Sequence, residues 1–206
     1  MVVLPVFLQA PWVRLHPFSA TLFTAVLMAV GIVLEQTADR QKAEIGQLLV
    51  GFSGSWLAGC LFWGWLRAHP LLHLPVEAFG LPLALTGLNS RWRLAAAFYL
   101  SSLLGTACTD LMMAVTGVMQ AWPTVVMAPI DVAPGLLHQA GLQLLHPLPM
   151  LLLTLAAALI LGLGRRWGHK GSTWSMAGAV LVTTVWVDGL FLITALLQPG
   201  LSGLIE

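Results

Sequence analysis

The sequence predicts an all-α, polytopic bundle of transmembrane helices forming one domain over residues 1–206. Three observations carry that prediction. Hydrophobic residues make up 58% of the chain and charged ones only 8%, whereas a soluble domain has about a quarter of its residues charged. Mean hydropathy is +0.89. The apolar residues also fall into runs long enough to cross a bilayer, which takes about 20 residues of helix. The lipid bilayer is therefore the expected partner. A formal net charge of +1 without any basic run argues against nucleic acid. Cys60 and Cys108, both in apolar stretches, make neither a disulfide framework nor a zinc site.

Along the chain, Met1–Ala10 is apolar, but no Lys or Arg precedes it and Pro5 interrupts it, so it does not read as a signal peptide. Pro5, Pro11 and Pro17 suggest a short interfacial segment leading into the first span, the charge-free run Phe18–Leu34. Ile45–Leu66 is the second span. Leu94–Met119, Leu148–Gly164 and Thr173–Leu197 are three more, of which the first and last each hold one Asp. Between Leu66 and Leu94 lies an arguable sixth, Pro70–Leu88, which contains His73, Pro75, Glu77 and Pro82. Proline and charge at membrane depth need protein or water around them, so this stretch is either a bent span or a re-entrant segment at 70–88. As a helix it would reach about 28 Å at 1.5 Å per residue, and six spans are the preferred count over five plus a re-entrant segment. Gln120–His146 has no Lys or Arg; Pro123, Pro129 and Pro134 predict an irregular first half. His138, Gln139 and Gln143 then recur among leucines at near-helical spacing, which predicts an interfacial amphipathic helix near 135–145.

Basic residues in short loops mark the cytoplasmic side. Arg165, Arg166 and Lys170 place the last loop inside, the long loop without basic residues falls outside, and Arg91 and Arg93 return inside. Upstream the rule ties. Six spans put Arg40 and Lys42 inside with Arg14 and Arg67 outside, and a re-entrant segment exchanges those pairs. Trp12, Trp65, Trp92, Trp122, Trp167 and Trp174 lie near predicted boundaries, as an aromatic belt does. Trp56 and Trp186 fall near mid-membrane, where packing is the expected role. No internal repeat is evident.

An ionisable side chain inside a span costs about 2.5 to 3.5 kcal/mol even on insertion scales, and marks function by default. Glu77, Asp110 and Asp188 are such residues. With six spans, all three lie about 10 to 14 Å below the outer edge and could form one intramembrane polar or ion site. No Lys or Arg lies in a span to pair with them, so protons, a cation or hydroxyls must compensate. Thr106 and Thr184 each stand four residues before an Asp, on the same helix face, and Thr109 directly precedes Asp110. Three readings stay open: protonated carboxyls gluing helices together, a proton or cation site, and ligation of a larger cofactor. His73 and Glu77, four apart, suit a metal or a proton relay, with structural pairing as the plainer alternative; the metal question stays unknown.

Gly51, Ser55 and Gly59 form a small-residue stripe that lets another helix approach closely. Gly51-Phe52-Ser53-Gly54 matches the nucleophile motif of rhomboid proteases, but every span after Leu88 lacks the histidine that would activate the serine. Prenyltransferases need paired aspartate-rich motifs, and membrane phosphatases need clustered basic residues; the chain has neither. Pro75-Val76-Glu77 is similar to part of the acidic motif of membrane-bound lycopene cyclases but lacks its second acid. No catalytic residue is identified, and the balance leans against an enzyme. Cys60 and Cys108 lie at similar depths, so an oxidative cross-link between their helices is conceivable if the helices touch.

Several runs carry a resemblance: Leu49-Val50-Gly51-Phe52-Ser53-Gly54-Ser55-Trp56-Leu57-Ala58-Gly59, Phe62-Trp63-Gly64-Trp65-Leu66-Arg67, His73-Leu74-Pro75-Val76-Glu77-Ala78-Phe79-Gly80-Leu81-Pro82, and Tyr99-Leu100-Ser101-Ser102-Leu103-Leu104-Gly105-Thr106-Ala107 with Thr109-Asp110. Over most of its length the chain resembles a family of cyanobacterial integral membrane proteins classed as a domain of unknown function. That resemblance implies a plasma or thylakoid membrane and brings no established activity. Two functions follow as expectations. The first is a non-catalytic accessory, assembly or pigment-associated factor of the photosynthetic membrane, with chlorophyll or carotenoid as the ligand and photosynthetic complex subunits as partners. The second is a small proton- or cation-coupled secondary transporter, or a substrate-binding membrane subunit, using the intramembrane carboxylates. The resemblance favours the first, the acids and the broken segment the second.

Overall fold

A computed structural model describes residues 3–201. All regular elements among them are helical: α1 (Val3–Leu15), α2 (Pro17–Glu35), α3 (Arg40–Leu61), α4 (His73–Glu77), α5 (Leu81–Gly87), α6 (Arg93–Val115), α7 (Val118–Met127), α8 (Ala133–Leu144), α9 (Pro147–Gly168) and α10 (Ser172–Leu197). Among the described residues five helices are long and apolar enough to cross a membrane: Pro17–Glu35, Arg40–Leu66, Arg93–Val115, Pro147–Gly168 and Ser172–Leu197. The second of these joins α3 to a π-helical turn, Phe62–Leu66.

Association of apolar helices in lipid depends on close packing, because lipid tails are as apolar as leucine. Glycines supply that closeness here. A Cβ built on Gly46 would lie 2.4 Å from the Glu35 nitrogen and 2.5 Å from the Gly31 oxygen, so α2 and α3 touch backbone to backbone. A Cβ on Gly178 would lie 2.9 Å from the Gly164 oxygen, and this contact joins α10 to α9. No residue of α9 is buried.

The relative directions of the helices follow from their pairings. Gln47 Oε1 accepts a bond from the Leu94 nitrogen at 3.3 Å. Further along, a Cβ on Gly51 would meet the Ala95 oxygen at 2.5 Å and one on Gly54 would meet the Tyr99 ring at 2.9 Å. α3 and α6 thus run parallel. The connection between them runs the other way, since His73 meets Asp110, Gly80 meets Tyr99 and Ala84 packs with Ala96. α10 is again parallel to α6, through Gly105 with Thr184 and Thr109 with Asp188. The starts of α3, α6 and α10 therefore share one end of the bundle, where Arg40, Arg91, Arg93 and Ser172 border a common cavity. α7 and α8 lie at the opposite end. There Trp122 Nε1 donates to the Arg67 oxygen at 3.0 Å and Gln143 Nε2 to the Thr116 oxygen at 3.2 Å.

Several expectations need correction. The run 94–119 does not make one helix: α6 stops at Val115, Thr116 Oγ1 turns back to the Met112 oxygen at 2.7 Å, and Gly117 takes φ +79°, a left-handed conformation that glycine adopts without steric cost. The stretch after it is irregular only over 128–132, around Pro129; before that, α7 forms with Pro123 inside it. The helix expected near 135–145 is α8. The amino-terminal segment is α1, with Pro11 inside it. Its Gln9 Nε2 donates to the Trp56 oxygen at 2.8 Å and to Cys60 Sγ at 3.3 Å. α3 and α6 do touch, but Cys60 packs with Val13 and Ala20 of α1 and α2, and both cysteines are free. Trp56 packs as expected and donates to the Ala20 oxygen, whereas Trp186 is 66% exposed on the outside of α10.

Replacing Gly46 with valine should cost roughly 1 to 3 kcal/mol or more, because backbone cannot move aside as a side chain can. Gly189→Ala, inside α10 with nothing within 4 Å, should cost nothing and gain up to about 0.5 to 1 kcal/mol from helix propensity. Reversible unfolding in mixed detergent measures both.

Candidate functional site

α6 carries Thr106, Thr109 and Asp110 along its second half. Opposite them the chain re-enters from the π-helical turn through a short 3-10 turn, Pro70–Leu72, into α4. The π turn delivers Phe62, which is 2% exposed, against the His73 ring with centroids 4.2 Å apart. So clamped, His73 places Nδ1 2.8 Å from Asp110 Oδ1. Its Nε2 stands 4.0 Å from Glu77 Oε1, one helical turn along α4. On the other side of α6, Thr109 Oγ1 donates to Asp188 Oδ2 at 2.6 Å. The consecutive residues Thr109 and Asp110 therefore link two halves, His73 with Glu77 and Asp188 of α10.

The arrangement brings together four of the six polar residues singled out in the sequence. Glu77 is 7% exposed. Thr184 is near but turned to its own helix, where its Oγ1 meets the Val180 oxygen at 3.3 Å. A Cβ on Gly105 would come within 2.4 Å of that hydroxyl, so only glycine fits beside it. Thr106 lies half-buried one turn before Asp110, and no bond joins it to the cluster among the described residues. The small-residue stripe divides between neighbours: Gly51 faces α6, and a Cβ on Gly59 would meet Gln9 at 2.9 Å. Ser55 keeps a buried hydroxyl without a partner among the described residues.

Chemically, the cluster sets three carboxyl groups and one imidazole into the interior. None of its acids is ion-paired to a Lys or Arg among the described residues. The His73–Asp110 contact holds a proton between nitrogen and oxygen, and a histidine can pass that proton from one ring nitrogen while taking another at the other. Among the described residues no three His, Cys, Asp or Glu side chains converge as metal ligands.

Sequence reasoning missed Tyr99, the one tyrosine in the chain. Its hydroxyl accepts from the Gly80 nitrogen at 2.9 Å and donates to the Glu77 oxygen. These are backbone groups where α4 gives way to a 3-10 turn, Ala78–Gly80. Cβ atoms on Gly54 and Gly80 would each come within 2.9 Å of the Tyr99 side chain, so the ring occupies a slot walled by two glycines. Its singularity was the signal available in the sequence. Tyr99→Phe should lose about 1 to 3 kcal/mol, the cost of leaving buried backbone groups unsatisfied, in detergent unfolding; an unchanged midpoint would mean the broken segment is held by other contacts.

No curated protein and no solved structure matches the chain. A family model described as a protein of unknown function (DUF3120) matches residues 1–196, nearly the whole sequence. The chain belongs to that family.

Proposed function

We propose that the protein is a small proton-coupled membrane transporter or proton-handling membrane subunit that crosses the bilayer six times. The carrying observation is the 2.8 Å contact between His73 Nδ1 and Asp110 Oδ1 at the break in the chain's helices. Interrupted helices with ionisable side chains beside them are the usual construction of coupling-ion sites in transporters. In this reading His73 exchanges a proton with Asp110, Glu77 stands at the other ring nitrogen, and Asp188 of α10, bonded to Thr109, is the next acceptor beside α6. The parallel directions of α3 and α6 support six crossings, because helices pointing the same way need one passage of the chain back between them. Arg40, Lys42, Arg91, Arg93, Arg165, Arg166 and Lys170 then share the cytoplasmic side. α7 and α8 cover the exoplasmic mouth.

An accessory or pigment-associated role is the second reading. Trp186, exposed at mid-span, and α9, without a buried residue, favour it by offering an open flank to a partner or carotenoid. The cyanobacterial plasma or thylakoid membrane expected from the resemblance suits either reading. The proton reading is preferred because both nitrogens of His73 face carboxylates, leaving neither for a chlorophyll magnesium, and because the Gly51–Gly59 face is already covered by α6 and α1.

In proteoliposomes, Asp110→Asn and His73→Gln should each cut proton flux by at least about tenfold, as loss of a proton-transfer group does, while elution and helix content stay unchanged. Equal flux through wild type and both variants would exclude the proton reading. For the topology, single cysteines are introduced into a Cys60→Ala, Cys108→Ala background. Gln41→Cys and Asn89→Cys should label from one side of the membrane and Gln139→Cys from the other. Labelling of positions 41 and 89 from opposite sides would overturn six crossings.

A further inference from the structure

At the basic end of the bundle three long helices begin together. α3 starts at Arg40, α6 at Arg93 and α10 at Ser172, and the first residues of all three line a cavity of about 270 Å³. Arg40, Arg91 and Arg93 bring positive charge to it, and Gln47, Ser172 and Thr173 bring neutral hydrogen-bonding groups. Glu44 is the acid in its wall and is paired with Arg40 at 3.1 Å. Arg91 lies 3.9 Å from Glu35, its guanidinium 5.2 Å above the Trp92 ring. Arg93 has no salt bridge among the described residues.

The backbone adds to the side chains. Asp39 caps α3 through the nitrogens of Gln41 and Lys42, but α6 and α10 start after Trp92 and Gly171 with no side-chain cap. The first-turn N–H groups of a helix lack intrahelical acceptors, and its dipole favours an anion at that end. At α6 the Leu94 group is taken by Gln47 at 3.3 Å, and those of Arg93 and Ala96 by the Ser90 and Trp92 oxygens. At α10 the Ser175 group is taken by the Gly171 oxygen, and those of Ser172, Thr173 and Trp174 have no acceptor among the described residues and remain to bond an incoming oxygen.

We propose that this cavity binds a phosphate group, carried either by an anionic phospholipid headgroup or by free phosphate at the membrane surface. Guanidinium forks match phosphate oxygens in pairs, and the hydroxyls of Ser172 and Thr173 serve oxygens the arginines do not reach. Arg93 and Asp110 stand at opposite parts of α6, about 25 Å apart along its axis, so this site is separate from the histidine–carboxylate cluster and does not rest on the proton reading.

The test uses the full chain in phosphatidylcholine nanodiscs, with and without phosphatidylglycerol. Retained lipid is read by native mass spectrometry, and inorganic phosphate binding by calorimetry. Arg93→Gln and Arg40→Gln should weaken binding about tenfold each, whereas Arg165→Gln, a basic residue of the same end outside the cavity, should not. Circular dichroism checks that each variant is folded. Selective retention of phosphatidylglycerol assigns the lipid source; calorimetric binding of inorganic phosphate assigns the soluble one. Binding of neither, or equal weakening by Arg165→Gln and Arg93→Gln, overturns the proposal.

Discussion

Backbone amides and carbonyls facing hydrocarbon cannot borrow a hydrogen bond from water, and the stretch from Pro70 to Gly87 changes helix type repeatedly within the depth of the bundle. Such a stretch persists only if protein groups take up what the breaks release. Tyr99 does this at the second break, and the His73–Asp110 contact fixes the first turn against the same helix, α6. The glycines around Tyr99 are consequences of that requirement, since a ring reaching the backbone of a neighbouring segment needs space on both sides. So is the π-helical turn ending α3, which turns Phe62 onto the histidine.

The same constraint concentrates the chemistry. A chain with so few charged residues places a half-buried histidine, the buried Glu77 and two aspartates around a single stretch of α6, where the helix break already supplies irregular backbone. Holding acids there is expensive, and the hydrogen bonds from Thr109 and His73 offset part of that cost. The opposite end of α6 shows the complementary solution: arginines gather where helices begin, two of them paired with Glu44 and Glu35. α6 is thus the common axis of both sites, with the broken segment, α3 and α10 packed around it.

Much of this was legible beforehand. Long apolar runs located all five long helices, and the isolated acids Glu77, Asp110 and Asp188 stood out because a charge in a span needs a reason. The ends were less visible. Hydropathy continues smoothly through Thr116 and Gly117, so the stop of α6 was written in backbone conformation and a threonine hydroxyl rather than in polarity. Pro123 and its neighbours suggested irregularity, yet α7 forms around that proline. Partners were the least legible of all. Thr109 proved to be the residue that meets Asp188, where the i, i+4 rule had pointed to Thr106 and Thr184, because contacts between helices depend on rotation about the axis and not on spacing along one. Gln9 was invisible for the same reason, as its partner backbone lies in a distant helix.

His73 is bonded to Asp110 and Asp188 to the adjacent Thr109, so the two pairs sit side by side on α6. Infrared difference spectroscopy on protein in lipid, with isotope-labelled histidine, follows the carboxyl bands and the imidazole bands during the same pH titration. Asp110→Asn should alter the imidazole titration, and Asp188→Asn should alter the remaining carboxyl bands. A His73 signal that titrates identically in wild type and Asp110→Asn would contradict the pairing.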